Sequence, residues 1–95
     1  MNPLERQIEA YLVKRVKEMG GIAAKHTSPG RAGDPDRLIK LPGKPAALLE
    51  LKRPGENPRP LQLVRIGEWL EVGMLASWAD SKDTVDLFLK KVLDQ

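Results

Sequence analysis

Residues 33–55, "GDPDRLIKLPGKPAALLELKRPG", form the stretch that decides the fold of this 95-residue chain. Two short apolar runs within it are separated by Pro-Gly-Lys-Pro, which is typical of a tight connection between paired strands. Strands of this length usually bury aliphatic side chains, yet these two also carry Asp36, Glu50 and Lys52. The two predicted strands therefore contain three charges that require an explanation.

The sequence outside this stretch predicts helices and strands that would cover both faces of a small sheet. Asn2 and Pro3 suit the start of a first helix, and Gly20-Gly21 suits its end. Strands are predicted at 22–26, 36–41, 46–52 and 74–79, with further helices at 60–72 and after Asp80 or Ser81. We expect one α/β domain over residues 1–95, a four-stranded mixed sheet flanked by helices in the order α-β-β-β-α-β-α.

Composition narrows the functional classes. The chain has no cysteine, which excludes disulfides and thiolate metal sites, and its apolar runs are too short to span a membrane. We therefore expect a cytoplasmic protein without a membrane partner, located in the bacterial host cell if a phage encodes it. The net charge is only +3, but residues 25–65 contain nine Lys or Arg against four Asp or Glu. This local excess of positive charge suits a polyanionic substrate.

The charges in the two strands suggest a cation site. Glu50 and Lys52 lie two residues apart and project from the same face of their strand. Asp36 begins the preceding strand, which a short connection would pair antiparallel to the strand of Glu50. Neighbouring carboxylates repel each other unless a cation lies between them, and hard oxygen ligands favour Mg²⁺ or Mn²⁺. An ordinary cross-strand ion pair on a solvated face would explain the same residues.

The order of these residues resembles a known nuclease signature. "GDPD" at 33–36 followed by "ELK" at 50–52 is similar to the motif of the PD-(D/E)xK nuclease superfamily. The leading helix with its Glu, the "GxPD" strand, the "ELK" strand and a helix with Gln62 and Trp69 together resemble the compact, stand-alone VRR-NUC domain. The resemblance extends from about Leu4 to the last helix and implies a restriction-endonuclease-like core.

The resemblance also implies a role for each motif residue. Asp36 and Glu50 would bind the metal ion, and Leu51 would contribute its backbone carbonyl to the same ion. Lys52 would position the attacking water. These implied roles agree with the chemistry that the charged residues of the two strands suggest.

Two helical positions carry polar side chains where the helical periodicity predicts apolar ones. Glu5 falls inside the apolar stripe of the first helix, whereas Glu9 falls just outside it. We therefore interpret Glu5 as a site carboxylate that binds the metal directly or through water, with Glu9 as the alternative. Glu5 could instead close a capping box with Asn2, but a capping glutamate needs no place on the buried stripe, which favours the site role. Gln62 lies mid-stripe on the second helix, where the family pattern implies a place beside the active site.

Five further residues are candidates for binding DNA. Arg31 and Arg37 flank the predicted site, and Arg53 and Arg59 follow it in a proline-rich loop. Their guanidinium groups could bind backbone phosphates, although solvated loop charges would look the same in sequence. His26, the only histidine, precedes the glycine-bearing loop and could also contact a phosphate.

Together these features predict a Mg²⁺- or Mn²⁺-dependent endonuclease that hydrolyses DNA phosphodiester bonds. We expect branched DNA such as Holliday junctions as the substrate and a homodimer as the assembly, because symmetric cutting of two strands requires two sites. A flap, nick or single-strand-processing nuclease in a phage replication or repair assembly is an alternative. A catalytically inactive DNA-binding or adaptor domain is another, although the chain retains Asp36, Glu50 and Lys52.

Overall fold

The computed structural model describes residues 3–95 and contains three helices and four strands within that range. In chain order these are α1 (Pro3–Glu18), β1 (Ile22–Lys25), β2 (Arg37–Lys40), β3 (Ala47–Leu51), α2 (Pro60–Glu71), β4 (Ala76–Ala79) and α3 (Lys82–Leu93). The predicted element order is confirmed. The predicted cap at Asn2 lies outside the described residues.

The strands form one mixed sheet in the order β1-β2-β3-β4. β1, β2 and β3 pair antiparallel through short connections, whereas β3 and β4 are parallel. A parallel pair needs a crossover, and α2 supplies it. β3 is therefore a central strand, and all five of its residues are buried.

The two faces of the sheet are covered by different helices. α1 and α3 pack on one face, where the buried apolar side chains include Leu12, Val16, Ile39 and Leu89. α2 covers the other face with a smaller cluster around Ile66. Because strand side chains alternate between faces, Arg37 and Ile39 lie on the α1 face and Leu38 lies on the α2 face.

Element boundaries differ from the sequence-based predictions by one or two residues. The largest shift is at β4, which begins at Ala76 and not at Met74. The amide of Met74 donates to the carbonyl of Trp69 at 3.0 Å, so this residue still completes the end of α2. At the other end of the chain Ser81 caps α3, its hydroxyl accepting a bond from the amide of Thr84 at 3.1 Å, as predicted. None of the helices described is long and apolar enough to cross a bilayer.

Candidate active site

The register of the antiparallel strands brings the two predicted carboxylates together. Arg37 pairs with Leu49, so one further step along the same register places Asp36 opposite Glu50. Asp36 lies immediately before β2 and remains accessible to solvent, whereas Glu50 is 7% exposed. Both side chains lie on the α2 face of the sheet.

Lys52 and Gln62 both approach the carboxylate of Glu50. The Lys52 ammonium lies 3.7 Å from Glu50 Oε2, and Gln62 Nε2 donates to the same oxygen at 3.1 Å. The side-chain amide of Gln62 is held in one orientation, because its Oε1 accepts a hydrogen bond from the backbone amide of Arg59 at 2.8 Å. Gln62 therefore joins the first turn of α2 to β3, and it is 4% exposed, as its position within the apolar stripe predicted.

Ionising both Asp36 and Glu50 is costly in free energy. Burial, and after it the charge of Asp36, raises the pKa of Glu50 to about 7 against an opposing effect of Lys52. Partial desolvation also raises the pKa of Asp36, with a contribution from the charge of Glu5. Trp78, the register partner of Glu50 on β4, lies on the same face and helps to explain the low exposure. The site thus holds negative charge that lacks full compensation.

Glu5 and Glu9 have different partners. The charge of Glu5 raises the pKa of both Asp36 and Glu50, so the Glu5 carboxylate lies within electrostatic range of the site. Glu9, one helical turn later, forms an ion pair with Arg37. The structure therefore brings Glu5 to the two strand carboxylates and commits Glu9 to Arg37.

The residues at this site fit a hard divalent cation. Asp36 and Glu50 provide oxygen ligands on adjacent strands, and the raised pKa of Glu50 shows that these groups would gain from a nearby positive ion. Among the described residues no three His, Cys, Asp or Glu side chains form a ready-made cluster. An ion held here would therefore draw further ligands from Glu5, from the backbone carbonyl of Leu51 or from water. Mg²⁺ in particular usually keeps several waters.

One predicted DNA contact is wrong. Arg37 is 5% exposed and its guanidinium is paired with Glu9 beneath α1, so it cannot reach a phosphate on the surface. The residue adjoins Asp36 in sequence, but alternation along the strand turns the two side chains to opposite faces. Sequence proximity to the site suggested a role that the strand geometry prevents.

The other candidates have varied environments. Arg53 is exposed and lies 3.6 Å from Glu56, and Arg59 is exposed just before α2, so both guanidinium groups are accessible to a ligand. Arg31 is bound by Asp34 and Glu68, at 3.0 and 2.9 Å, which limits its freedom to bind phosphate.

His26 is partly buried, and its ring meets the edge of Trp69 with centroids 6.5 Å apart. Within the described part of the chain its Nε2 is buried without a hydrogen-bond partner. The backbone amide of His26 donates to the carbonyl of Asp36 at 2.8 Å. His26 therefore supports the segment that carries the site carboxylate.

Sequence reasoning missed a network that fixes the glycine-rich loop. The Asp34 side chain is 4% exposed and accepts bonds from Arg31 Nε at 3.0 Å and from Trp69 Nε1 at 3.2 Å. Arg65 on α2 also donates to the carbonyl of Ala32 at 3.0 Å. Burial alone would raise the pKa of Asp34, but the hydrogen bonds from Arg31, Ser28 and Trp69 outweigh it and lower the pKa. The signal in the sequence was Asp34, the first acid of "GDPD".

Comparisons with known proteins bear on the family and the fold of this chain. A phage protein described as "Putative nuclease p44", from Acyrthosiphon pisum secondary endosymbiont phage 1, is 44% identical over 79 residues, which cover 83% of this chain and 85% of that protein. A solved structure described as "VRR_NUC domain" aligns with a TM-score of 0.84 and 27% identity, covering 94% of this chain and 97% of its own. A second, "VRR_NUC domain protein", has a TM-score of 0.71 at 19% identity, covers 99% of this chain and 91% of its own, and supports the fold alone. No protein-family model matches the sequence.

Proposed function

The chain belongs to the VRR-NUC family of nucleases, and from this premise we propose that it is a divalent-metal-dependent endonuclease that hydrolyses DNA phosphodiester bonds. One observation carries the proposal: the strand register sets Asp36 opposite Glu50, with Lys52 3.7 Å from the Glu50 carboxylate. Two acids and an amine at one end of a sheet are suited to phosphodiester hydrolysis. Mg²⁺ and Mn²⁺ are the ions that best fit these ligands.

Each residue of the site has a distinct task in this proposal. Asp36 and Glu50 would hold the ion, with Glu5 directly or through water and with the backbone carbonyl of Leu51. When bound, the ion supplies Lewis-acid stabilisation of the negative charge that develops on the phosphate. The Lys52 ammonium would hold the attacking water by a hydrogen bond and offset charge on the phosphate. The expected products are a 5′-phosphate and a 3′-hydroxyl, as in similar enzymes.

Gln62 would maintain the orientation of the acid. Its amide oxygen is occupied by the Arg59 backbone, so its Nε2 is the group that faces Glu50. A donor fixed in this way leaves one oxygen of the carboxylate engaged and the other available for a ligand. Arg53 and Arg59 are the accessible guanidinium groups nearest in sequence to the site, and we assign them to backbone phosphates.

Branched DNA is the proposed substrate. All three helices pack against the sheet, which leaves little surface for reading bases and favours recognition of backbone shape. A Holliday junction presents two equivalent strands for cutting, which calls for two active sites and hence a homodimer. The alternative is a single site that acts on flaps, nicks or single strands. Cleavage of a panel of DNA substrates distinguishes this alternative from a junction-cutting dimer.

The outer face of α2 supports the homodimer. Leu63, Val64 and Leu70 are each about half exposed, at 49%, 55% and 48%. Gly67 lies between them, with open space where a Cβ would be. If a two-fold axis passed near Gly67, antiparallel helices could approach closely, and Val64 of one copy would meet Leu70 of the other. Light scattering should show a dimer, and Leu63→Lys should shift it toward monomer if this face is the interface.

Two variants test the chemistry. Asp36→Ala and Lys52→Ala should abolish cleavage, while binding to a four-way junction in Ca²⁺ survives. Asp83→Ala and Lys90→Ala, which change exposed charges on α3, serve as matched controls and should cut normally. The panel should contain duplex, nicked, flap and four-way-junction DNA with Mg²⁺ and with Mn²⁺. Undiminished cutting by either site variant would exclude the proposed mechanism.

A further inference from the structure

A groove lies between α1 and α3, in the layer of the protein that the proposed site does not use. It consists of two adjoining cavities of about 310 and about 320 Å³, and both are lined by Gln7 and Lys82. The first cavity also reaches Pro54 and Ser81, and the second reaches Lys14, two helical turns beyond Gln7. The two cavities together form the α1–α3 groove.

One end of the α1–α3 groove opens at the edge of the sheet that carries the candidate site. β3 and β4 are parallel, so their carboxyl ends leave the sheet at the same edge. Lys52 follows β3, and its amide donates to the carbonyl of Ala79, the last residue of β4, at 2.9 Å. Pro54 lies two residues after Lys52, and Ser81 lies two residues after Ala79. A DNA strand bound at the site therefore needs only to cross this edge to reach the groove.

The two lysines of the groove are unpaired cations. Within the described part of the chain, Lys14 and Lys82 form no ion pair, and both are exposed. The Lys82 ammonium lies over the ring of Tyr11, 5.5 Å from its centroid, which holds this charge on the α1 side of the groove. The nearby acid Asp86 is already engaged, because it accepts bonds from the Tyr11 hydroxyl at 2.7 Å and from Arg15 Nε at 3.5 Å.

The remaining charge on the groove walls is Asp83. It lies in the first turn of α3, where the positive end of the helix dipole offsets a carboxylate. The unpaired charges are thus two lysines against one aspartate, an excess that suits a polyanion. From Leu4 to Lys14 the groove follows ten residues of α1, about 15 Å, which matches about four phosphates of one strand of a duplex.

We propose that the α1–α3 groove binds the sugar-phosphate backbone of a DNA arm that extends beyond the cleavage site, with Lys14 and Lys82 each contacting a phosphate. Gln7 and Ser81 supply uncharged donors along the same path. These contacts position the arm and read no bases, which agrees with recognition of backbone shape. The inference rests on the proposed nuclease function and deepens it, because it adds a DNA-binding surface in the α1 and α3 layer.

The test compares two pairs of lysines. Lys14→Met combined with Lys82→Met removes both charges of the groove and keeps side chains of similar length. Lys90→Met combined with Lys91→Met is the matched control, since these exposed lysines lie in the last turn of α3, at the other end of that helix. Each pair lowers the net charge by two, from +3 to +1. Binding of a four-way junction in Ca²⁺ is measured at several salt concentrations.

The groove predicts a specific change in salt dependence. Each phosphate contact contributes about 0.9 to the slope of log affinity against log salt concentration. The slope of the groove variant should therefore be shallower than the native slope by about 1.8, and its affinity at about 0.1 M salt should be at least tenfold lower. The control pair should keep the native slope. Lys14→Arg combined with Lys82→Arg should keep it too, because the charges remain.

Two further measurements show whether a loss is local. The groove variant should melt at the native temperature and bind Mn²⁺ with native affinity in the absence of DNA, since neither lysine touches the site acids. If the double variant does not fold, Lys14→Met and Lys82→Met are measured singly, and each should make the slope shallower by about 0.9.

Several outcomes would overturn the inference. A native slope for the groove variant would show that DNA does not enter the groove, and equal losses in the groove and control pairs would reduce the effect to net charge. A change in oligomeric state by light scattering would instead identify the groove as a contact between copies. Native junction cutting with an unchanged slope refutes only this inference, whereas a native chain that neither binds nor cuts any DNA of the panel refutes the proposed function.

Discussion

Glu50→Gln should stabilise the metal-free protein while it destroys the site. Glu50 is 7% exposed and faces Asp36, and burial followed by the Asp36 charge raises the pKa of Glu50 from the ordinary 4.5 to about 7. Gln is nearly isosteric with Glu, and its amide oxygen can still accept the bond from Gln62. The substitution therefore removes the cost of an ionised buried carboxylate with little change in packing.

The size of the effect follows from that pKa. At about 1.36 kcal/mol per pKa unit, ionising Glu50 in the folded state costs on the order of 3 kcal/mol above pH 7. Solvent reaches the edge of the site, so we expect an observed gain of about 1–3 kcal/mol. Because the folded pKa is raised, the penalty is complete above about pH 7 and disappears as the pH falls toward 4.5.

Thermal and urea unfolding in EDTA, at several pH values from 4 to 8, measure this difference. The melting temperature of Glu50→Gln should exceed that of the native chain by about 5 °C or more at pH 8 and match it near pH 4. Glu56→Gln is the control, because Glu56 lies at the more exposed loop beyond the same strand, paired with Arg53. A Gln variant that is less stable at pH 8, or a gain that is independent of pH, would refute the electrostatic reasoning.

Three further predictions concern the loop and the ion. Asp34→Asn should destabilise the protein by about 2 kcal/mol at pH 7, because it weakens the bonds with Arg31 and Trp69. Because the pKa of Asp34 is lowered in the folded protein, this stabilisation is present above about pH 4 and is lost as the pH falls through the folded pKa. The urea midpoints of the native protein and the variant should therefore converge in acid. Gly33→Ala should lower the free energy of unfolding more than Gly30→Ala does in the same assay. Both glycines have positive φ, which costs an alanine roughly 1–2 kcal/mol, but only at Gly33 would an added Cβ lie 2.9 Å from a leucine carbon of α2. Equal losses of stability in the two variants would contradict this reasoning. Calorimetric Mn²⁺ affinity of the native chain should fall about tenfold between pH 8 and pH 6, because the buried site acid must lose its proton to bind; a constant affinity would contradict that.

Much of the fold follows from local patterns. Pro3 and Gly20 bracket α1, Ser81 caps α3, and the proline-glycine connection after Leu41 pairs β2 with β3. These signals act within a few residues and depend on backbone preferences that each amino acid carries with it. Boundaries shifted where a longer contact intervened, as at Met74, whose amide completes the end of α2.

The candidate site was predictable in part. Asp36, Glu50 and Lys52 stood out because charges interrupt two short strands, and Gln62 because it interrupts an apolar helical stripe. Periodicity shows which side chains share a face of their own element, and that is enough to single these residues out. It does not say which face meets which neighbour.

The sequence by itself determined the order of the elements and the residues that carry the charges, because turn chemistry, caps and side-chain periodicity are local properties. The tertiary structure decided their partners. Only the packed layers assign Arg37 to Glu9 beneath α1, and not to a phosphate, and only they lock Asp34 to Trp69 across the glycine-rich loop. The reason is physical: the energy and the function of a charged group depend on its burial and on neighbours that are distant in sequence. Only folding brings those neighbours together.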